Sequence, residues 1–246
     1  MNVIGVIPAR WGSTRFPGKS LALLCGRPLI QWVVEGCRRS RQLGRVIVAT
    51  DDERIRRVAV GLGVEVVMTR SDHPSGTDRV AEAVQGLPAD IVANIQGDEP
   101  LIDSGLIDRL VETMTVEPGW DMATAAAPLE TGIDNPSICK VVFAREGRAL
   151  YFSRCPIPFI RDRGFQAEGR THWRHIGIYL YRAAFLAQLV AEPPCRLERA
   201  ERLEQLRALD IGARIKVIET DHAGIGVDTP ADVPKVEALL RQQGRL

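Results

Sequence analysis

Short apolar runs alternate with segments of helical spacing over the first hundred residues. The runs are rich in valine and isoleucine and lie at residues 3–8, 45–50, 64–68 and 90–95. The segments between them repeat apolar residues every three or four positions, and Pro28 is predicted to take the first position of the first helix. This order predicts an α/β fold with a doubly wound, mostly parallel sheet of the Rossmann type.

The pattern changes after residue 122. Strands are predicted at residues 122–128, 141–144 and 176–181, and residues 149–160 form an apolar segment that ends with two prolines. A helix, a strand and a last helix are predicted at residues 183–190, 215–218 and 231–243. We therefore predict a single domain over residues 1–246, with a β-rich arm inserted at roughly residues 122–182.

The charge balance argues against two classes of partner. The chain has 246 residues, with 32 Lys and Arg against 31 Asp and Glu, so its formal net charge is +1. Nucleic acids and anionic membranes attract clustered positive charge, so neither is expected as a partner. The longest apolar stretch, residues 176–191, is interrupted by Arg182 and Gln188 and falls short of the ~20 residues of a membrane span.

The cysteines and the first residues bear on the cellular compartment. The chain has five cysteines with no Cys-x-x-Cys pair, which predicts neither a disulfide framework nor a zinc knuckle. No cations precede the apolar run at residues 3–9, so it does not resemble a signal peptide. We predict a reduced, cytoplasmic protein.

A basic loop follows the first predicted strand, at the sheet edge where α/β proteins bind ligands. Residues 8–19 combine two glycines with Arg10, Arg15 and Lys19. Glycines let backbone N–H groups approach a phosphate, and the three cations can neutralise a polyphosphate. The loop ends in Gly-Lys-Ser like a Walker A motif, but five residues instead of four separate its glycines, and no helix is predicted at Lys19. Nucleotide phosphate binding is predicted, without a P-loop.

Two aspartates from distant parts of the chain can form a metal site. Asp98 follows the buried strand predicted at residues 90–95, and Asp228 precedes the last helix. The sequence Thr-Pro-Ala-Asp at residues 229–232 is a helix-capping sequence, which explains its own residues but does not require Asp228. Because Mg²⁺ binds one or two protein carboxylates together with substrate phosphates, Asp98 and Asp228 predict a magnesium site.

Two other segments each have two interpretations. His172 and His175 are three residues apart but precede an extended run, and no cysteine or third histidine is near, so no zinc site is predicted. They either hydrogen-bond a substrate or pack in the core. The loop at residues 70–79, which contains Ser75, Gly76 and Thr77, either recognises a nucleotide base or caps a helix.

Six motifs occur in order from the first strand to the last helix. They are IPAR-x-x-STRFP-x-K at residues 7–19, HPSGTDR at 73–79, NIQGDEP at 94–100, HIGIYLYR at 175–182, LEQLR at 203–207 and GVDTP at 226–230. The IPAR opening and QGDEP are partly shared with other sugar nucleotidyltransferases, whereas HIGIYLYR with LEQLR is more specific. Together they resemble the 3-deoxy-D-manno-octulosonate (Kdo) cytidylyltransferases, also called CMP-Kdo synthetases.

The resemblance implies a nucleotidyltransferase that uses Mg²⁺ to transfer CMP from CTP to Kdo, releasing pyrophosphate and supplying CMP-Kdo for lipopolysaccharide synthesis. It implies catalytic roles for Arg10, Lys19 and Asp98, and a metal site at Asp98 and Asp228. The residues implied for the nucleotide are Ala9, Arg10, Arg15, Lys19, Ser75, Gly76 and Thr77. The residues implied for the sugar acid are Gln96, Arg154, His175, Tyr179, Glu204 and Gln205, with Arg154 as the partner of its carboxylate.

The resemblance also implies a homodimer formed through the inserted region. Residues 149–160 contain Tyr151, Phe152 and Phe159. The apolar segment packs either within the subunit or against a second chain, since buried faces and interfaces share aromatic enrichment.

Two alternative functions remain. Residues 195–200 are richer in arginine than is usual in the family, and Leu180 stands where the family often has glycine, so a related octulosonate or an amino-substituted Kdo analogue stays open as the substrate. Another 2-keto sugar acid, such as sialic acid, is the nearest rival substrate. A non-catalytic nucleotide-binding protein is less favoured, because Lys19, Asp98 and Asp228 are all present.

Overall fold

The computed structural model describes residues 1–13, 15–162, 170–222 and 224–244. Its strands are β1 (Val3–Ala9), β2 (Leu23–Leu24), β3 (Arg27–Pro28), β4 (Arg45–Thr50), β5 (Glu65–Met68), β6 (Ile91–Asn94), β7 (Met122–Pro128), β8 (Lys140–Phe143), β9 (Ala149–Ser153), β10 (Trp173–Arg182) and β11 (Ile215–Glu219). Its α-helices are α1 (Leu29–Arg38), α2 (Glu53–Gly61), α3 (Gly76–Ala83), α4 (Ser104–Val116), α5 (Ala183–Ala191), α6 (Arg196–Glu201), α7 (Gln205–Asp210) and α8 (Val233–Gln242). Short 3-10 helices lie at Lys19–Leu21 and Pro230–Asp232.

The chain divides into two compact units. The first comprises Met1–Val111 and Gly224–Leu246, and the second comprises Glu112–Ala223. No helix in the described part of the chain is both long and apolar enough to cross a membrane.

The first unit contains the predicted parallel sheet. Strands β6, β1, β4 and β5 lie side by side in that order, and each pair is parallel. Helices α1, α2 and α3 pack against these strands. Strand β6 is buried along its whole length, as its apolar sequence predicts for a parallel strand. The parallel arrangement brings the loops after β1 and β6 to one edge of the sheet.

The second unit contains the strands of the predicted β-rich arm. Strand β7 pairs in parallel with β11 and antiparallel with β10. Strand β8 pairs antiparallel with both β10 and β9. The pairing of β10 with β7 shifts register between Ile176 and Leu180, which creates a local irregularity opposite the middle of β7.

The apolar segment at residues 149–160 is a strand only as far as Ser153. Its aromatic residues have different environments: Phe152 is 0% exposed, whereas Phe159 is 83% exposed. Phe152 therefore belongs to the core of the chain, and Phe159 lies on its surface.

Several elements differ from the sequence prediction. Pro28 precedes α1 because its ψ of 140° is extended rather than helical. A three-residue 3-10 helix begins at Lys19, where no helix was predicted, but so short a turn does not make the loop a P-loop. Helix α4 was not predicted from the sequence, although its buried residues recur at helical spacing. Helices α6 and α7, which have only six residues each, were not predicted either.

Candidate active site

Two carboxylates and two cations of the first unit meet at the carboxyl end of its sheet. The ammonium nitrogen of Lys19 lies 2.5 Å from Asp98 Oδ2 and 3.7 Å from Asp228 Oδ1. The Nη2 atom of Arg15 lies 3.0 Å from the same Asp228 oxygen. The Lys19 side chain is only 15% exposed, whereas those of Arg15 and Asp228 are 65% and 54% exposed. The structure thus brings together four residues that the sequence analysis singled out in three separate loops.

Backbone contacts hold these loops close to one another. The Val227 N–H donates to the Asp98 carbonyl oxygen at 2.8 Å, which ties the Asp228 loop to the Asp98 loop. A Cβ atom at Gly97 would lie 2.6 Å from the carbonyl oxygen of Pro8, at the end of β1. Only glycine permits this approach, so Gly97 is needed where the two loops pass each other.

The basic loop is closed around Trp11. The Gly18 N–H donates to the Trp11 carbonyl oxygen at 3.0 Å. Gly18 has a φ of +69°, and a Cβ atom there would lie 2.7 Å from the Trp11 ring. The guanidinium carbon of Arg54 lies over the Trp11 ring, 3.3 Å from the ring centre, in a cation–π contact. This packing fixes the end of the loop from which Lys19 extends, while Arg10 at its start is exposed.

The turn at residues 75–77 begins helix α3. Ser75 is the N-cap residue, and its hydroxyl accepts from the Asp78 N–H at 3.2 Å. Arg79 is buried and donates to Thr69 Oγ1 at 2.5 Å and to Asp51 Oδ2 at 2.9 Å. The helix-capping interpretation is thus confirmed for Ser75. A role of residues 75–77 in recognising the base stays a prediction.

The remaining residues of the first unit follow the two central strands. Ala9 is buried at the end of β1, where it is paired with Thr50 of β4. Gln96 is partly buried in the loop after β6 and lies two residues before Asp98. Both positions are at the carboxyl edge of the sheet, where ligands bind in open α/β folds.

The donor set at Asp98 and Asp228 fits a magnesium ion. Both carboxylates contact one ammonium group, which occupies the place of a shared cation. Within the described ranges, no group of three or more His, Cys, Asp or Glu is arranged to hold a metal ion. Mg²⁺ needs only one or two protein carboxylates when substrate phosphates and water supply its other oxygens. Asp98 and Asp228 are therefore suited to Mg²⁺ that arrives with a nucleotide.

A polar cluster lies inside the second unit. The Tyr179 hydroxyl donates to Gln205 Oε1 at 3.1 Å, and the Gln205 amide nitrogen lies 3.6 Å from Cys139 Sγ. The ring centre of His175 lies 5.3 Å from that of Tyr179 and 5.0 Å from that of Phe152. The structure thus brings together three of the residues implied for the sugar acid, although they come from β10 and α7.

Burial keeps the ring of His175 uncharged. His175 is 7% exposed, and this burial, assisted by the positive charge of Arg174, lowers the pKa of His175 from 6.5 to about 3. Burial also raises the pKa of the Tyr179 hydroxyl well above its ordinary value. At neutral pH this cluster therefore offers neutral hydrogen-bonding groups rather than charges.

The guanidinium of Arg154 is held by backbone carbonyl groups. Its Nε, Nη1 and Nη2 atoms donate to the carbonyl oxygens of Glu201, Pro136 and Arg202, at 2.7, 2.9 and 3.3 Å. These bonds account for the position of its guanidinium. Its assignment to the substrate carboxylate stays a prediction.

Helix α7 is held by a buried ion pair. Arg207 donates to both carboxylate oxygens of Glu198 in α6, at 2.8 and 2.6 Å. Both side chains are almost fully buried. Bidentate pairs of this kind fix geometry as well as charge, so the pair orients α7, where Gln205 and the preceding Glu204 begin the helix.

The sequence analysis missed two buried residues of the second unit. Lys140 is 0% exposed, and its ammonium group donates to the carbonyl oxygens of Asn135, Ile138 and Arg154. Thr124 is also fully buried, and its hydroxyl contacts the ring of His175. A lysine at the start of a strand and a threonine within one are ordinary in sequence, so no local signal marks either.

Comparisons with known proteins agree along nearly the whole chain. A cytidylyltransferase family model matches residues 4–215. The 3-deoxy-manno-octulosonate cytidylyltransferase of Bdellovibrio bacteriovorus is 50% identical over 246 residues, covering 99% of this chain and 100% of that protein. The protein of the same name from Geobacter sulfurreducens is 46% identical over 250 residues, covering 98% of this chain and 100% of that protein.

A solved structure has the same fold. It is the structure of CMP:2-keto-3-deoxy-manno-octonic acid synthetase complexed with CTP, which is 40% identical in sequence. It superposes with a TM-score of 0.93 and covers 99% of this chain and 100% of that one. The α/β fold with a mostly parallel sheet, predicted from the sequence pattern, is thereby confirmed.

Proposed function

Because this chain belongs to the 3-deoxy-manno-octulosonate cytidylyltransferase family and is a nucleotidyltransferase, we propose that it transfers CMP from CTP to Kdo and releases pyrophosphate. The observation that carries the proposal in this chain is the meeting of Asp98 and Asp228 around the ammonium group of Lys19. Two carboxylates and a lysine at the sheet edge match what a nucleoside triphosphate with Mg²⁺ requires. The product, CMP-Kdo, serves as the activated sugar for lipopolysaccharide synthesis.

The reaction exchanges a phosphoanhydride bond of CTP for a phosphate ester bond to the sugar. The anomeric hydroxyl of the sugar acid attacks the α-phosphorus of CTP in line and loses its proton to solvent. The bond between the α-phosphorus and the oxygen that bridges to the β-phosphate breaks, and pyrophosphate leaves with that oxygen and its negative charge. Lys19 and Arg10 hold the triphosphate and stabilise the charge that develops on pyrophosphate, with Arg15 in support. Such catalysis consists mainly of positioning and charge neutralisation.

Asp98 and Asp228 would hold the Mg²⁺. Held there, Mg²⁺ would supply positive charge that neutralises phosphate oxygens and lowers the pKa of the attacking hydroxyl. In the structure Lys19 balances the charge of both carboxylates. We propose that its ammonium group turns from the carboxylates to the phosphates when nucleotide and metal bind together.

The sugar acid is assigned to a set of polar side chains, and the guanidinium of Arg154 is proposed as the partner of its carboxylate. Gln96, His175, Tyr179, Glu204, Gln205 and Arg154 carry this role in the proposal. The support in this structure is the cluster of His175, Tyr179 and Gln205. The Tyr179 hydroxyl donates a hydrogen bond to the Gln205 amide, and the ring of Tyr179 packs against that of His175. Preorganised polar groups of this kind discriminate strongly between sugars that differ in one hydroxyl.

An assay of pyrophosphate release tests the proposed function. Turnover is expected with CTP and Kdo, but not when UTP replaces CTP. An amino-substituted Kdo analogue and sialic acid, tested in parallel, decide between Kdo and the alternative sugars. Faster turnover with sialic acid than with Kdo would replace the proposed substrate, and no turnover with any sugar would favour a non-catalytic nucleotide-binding protein.

Replacing Lys19 with alanine is expected to lower kcat/KM for CTP by about tenfold to a hundredfold, because charge-assisted hydrogen bonds contribute ~1.5–3 kcal/mol. Part of the loss should fall on kcat, because the contact strengthens as charge moves onto pyrophosphate. The matched control is Lys235→Ala in α8, whose side chain is 76% exposed. Steady-state kinetics with varied CTP measure the effect, and an unchanged kcat/KM in Lys19→Ala would refute the phosphate role of this loop.

We further propose that the protein acts in the cytoplasm as a homodimer and that its contact surface includes the exposed end of the segment at residues 149–160. Phe159 is 83% exposed, and Leu150 and Ile160 are also exposed. Exposed apolar residues that are close in sequence are typical of a surface that another chain covers.

Replacing Phe159 with aspartate is expected to shift the protein from dimer to monomer, because a two-fold contact places each charge in the interface twice. Phe152→Asp, seven residues earlier, should instead unfold the chain, because Phe152 is 0% exposed within one subunit. Size exclusion with light scattering and circular dichroism separate the two outcomes. A wild-type protein that elutes at the 27.1 kDa mass of one chain would defeat the dimer proposal.

A further inference from the structure

The hydroxyl of Thr124 makes three short contacts inside the second unit. Its Oγ1 atom lies 2.7 Å from the carbonyl oxygen of Ile178, 3.1 Å from that of Ile176 and 2.9 Å from the Nε2 atom of His175. Thr124 lies in β7 opposite the register shift of β10, between the paired residues Ala123 and Ala125. The irregularity turns two carbonyl groups of β10 toward one side chain, a geometry that regular pairing does not produce.

These contacts determine where the protons are. A hydroxyl has one proton to donate and two lone pairs to accept with, whereas a carbonyl oxygen only accepts. Two oxygen atoms 2.7 Å apart with no proton between them repel each other, so the Thr124 proton lies toward the Ile178 carbonyl. The contact with His175 then requires a proton from the ring, and Nε2 must carry it.

Two further contacts surround His175, one to its ring and one to its backbone. The ring of Phe152 meets the ring of His175 edge-on, with an interplanar angle of 80°. The backbone N–H of His175 donates to the Cys139 carbonyl oxygen at 2.9 Å. Because a neutral imidazole has one proton, the other nitrogen, Nδ1, keeps a lone pair, and no described residue forms a hydrogen bond with it.

We propose that Thr124 is a positioning residue that holds His175 in the Nε2–H tautomer, so that Nδ1 accepts a hydrogen bond from a hydroxyl of the sugar acid. The second half of this proposal rests on the proposed function, whereas the tautomer does not. With this tautomer, His175 favours a sugar whose hydroxyl donates a hydrogen bond to Nδ1. A sugar with an ether or a deoxy carbon at that position would leave the lone pair unpaired and bind less tightly.

Nuclear magnetic resonance of the ligand-free protein tests the tautomer. With ¹⁵N-labelled histidine, a long-range ¹H–¹⁵N correlation spectrum at neutral pH distinguishes protonated from unprotonated ring nitrogens, and His175→Gln assigns the signals among the four histidines. The expected pattern is a protonated Nε2 and an unprotonated Nδ1. The opposite pattern in the wild-type protein would overturn the proposal whether or not any variant folds.

Kinetics of two matched variants test the consequence for the substrate. Thr124→Val keeps the shape but loses the hydroxyl, so KM for Kdo is expected to rise about tenfold while KM for CTP is unchanged, as for the loss of one hydrogen bond. Thr124→Ser keeps the hydroxyl and should restore the wild-type KM and spectrum. A folded Thr124→Val protein with a wild-type KM for Kdo would overturn the substrate role.

The two experiments separate this proposal from the proposed function. A wild-type protein that does not use Kdo would contradict the proposed function and with it the role of Nδ1 toward the sugar. The tautomer is read in the absence of any substrate, so it is confirmed or overturned independently of that result.

Discussion

Asp98→Asn is expected to lower kcat by about 10²–10³-fold, corresponding to about 2.7–4 kcal/mol of transition-state stabilisation. Asparagine keeps the volume of the side chain but loses the charge that Mg²⁺ requires. Asp228→Asn should have a similar effect, because both carboxylates contact the same ammonium group in the structure. The measurement is steady-state pyrophosphate release at saturating CTP and Kdo over a range of magnesium concentrations.

Asp90, at the other end of β6, provides a matched control for Asp98→Asn. Asp98 follows β6, whereas Asp90 precedes it and so lies at the opposite end of the strand. Asp90 is exposed, and its carboxylate accepts a hydrogen bond from the Asn2 N–H at 2.6 Å. Asp90→Asn keeps an acceptor oxygen and is expected to retain wild-type turnover. If a folded Asp98→Asn protein turned over as fast as this control, Asp98 would be removed from the proposed metal site.

The stability of the protein is expected to fall steeply in mild acid because of His175. Its pKa is about 3 in the folded protein and 6.5 as the ordinary value. Between these values the unfolded chain binds one more proton than the folded one, so stability falls as pH falls, by about 1.4 kcal/mol per pH unit. The contribution of the neutral ring is fully present above pH 6.5 and is lost as pH falls toward 3.

Urea unfolding from about pH 8 to about pH 4.5 gives the free energy of unfolding at each pH. The contribution of His175 is the difference between wild type and His175→Gln in the slope of that free energy against pH. Wild-type protein should lose stability faster than His175→Gln below pH 6.5, and the two should run parallel above it, where the ring is neutral in both states. The slopes are compared rather than the absolute stabilities, so a less stable variant still gives the result. Parallel curves over the whole range would show that His175 has the same pKa in the folded and the unfolded chain, and would contradict the lowered pKa.

Much of the first unit follows from periodicity in the sequence. The valine- and isoleucine-rich runs became β1, β4, β5 and β6, and β6 is buried along its length as its apolar sequence indicates. The capping sequence at residues 229–232 forms the capping box that its residue types predict. Helix α4 had the same kind of signal and could have been predicted, whereas the six-residue helices α6 and α7 depend on the buried pair of Glu198 and Arg207.

The candidate site shows where such prediction stops. Asp98, Lys19 and Asp228 were recognised by residue type and by their places after strands, but their meeting joins residues 79 and more positions apart. Phe152 and Phe159 belong to one apolar segment, yet one is buried and the other exposed. Sequence periodicity indicates which face of an element is apolar, but not which other element covers that face.

The sequence by itself determined the order of elements, the sheet edge that carries the chemistry and the residue types available there, because these depend on backbone preferences and on spacing between near neighbours. Only the tertiary structure decided that Lys140 is buried among carbonyl groups and that Thr124 meets His175, 51 residues further along the chain. The physical reason is strand register. A shift between Ile176 and Leu180 turns two carbonyls toward Thr124, and such a shift arises from how two strands fit together rather than from the sequence of either one.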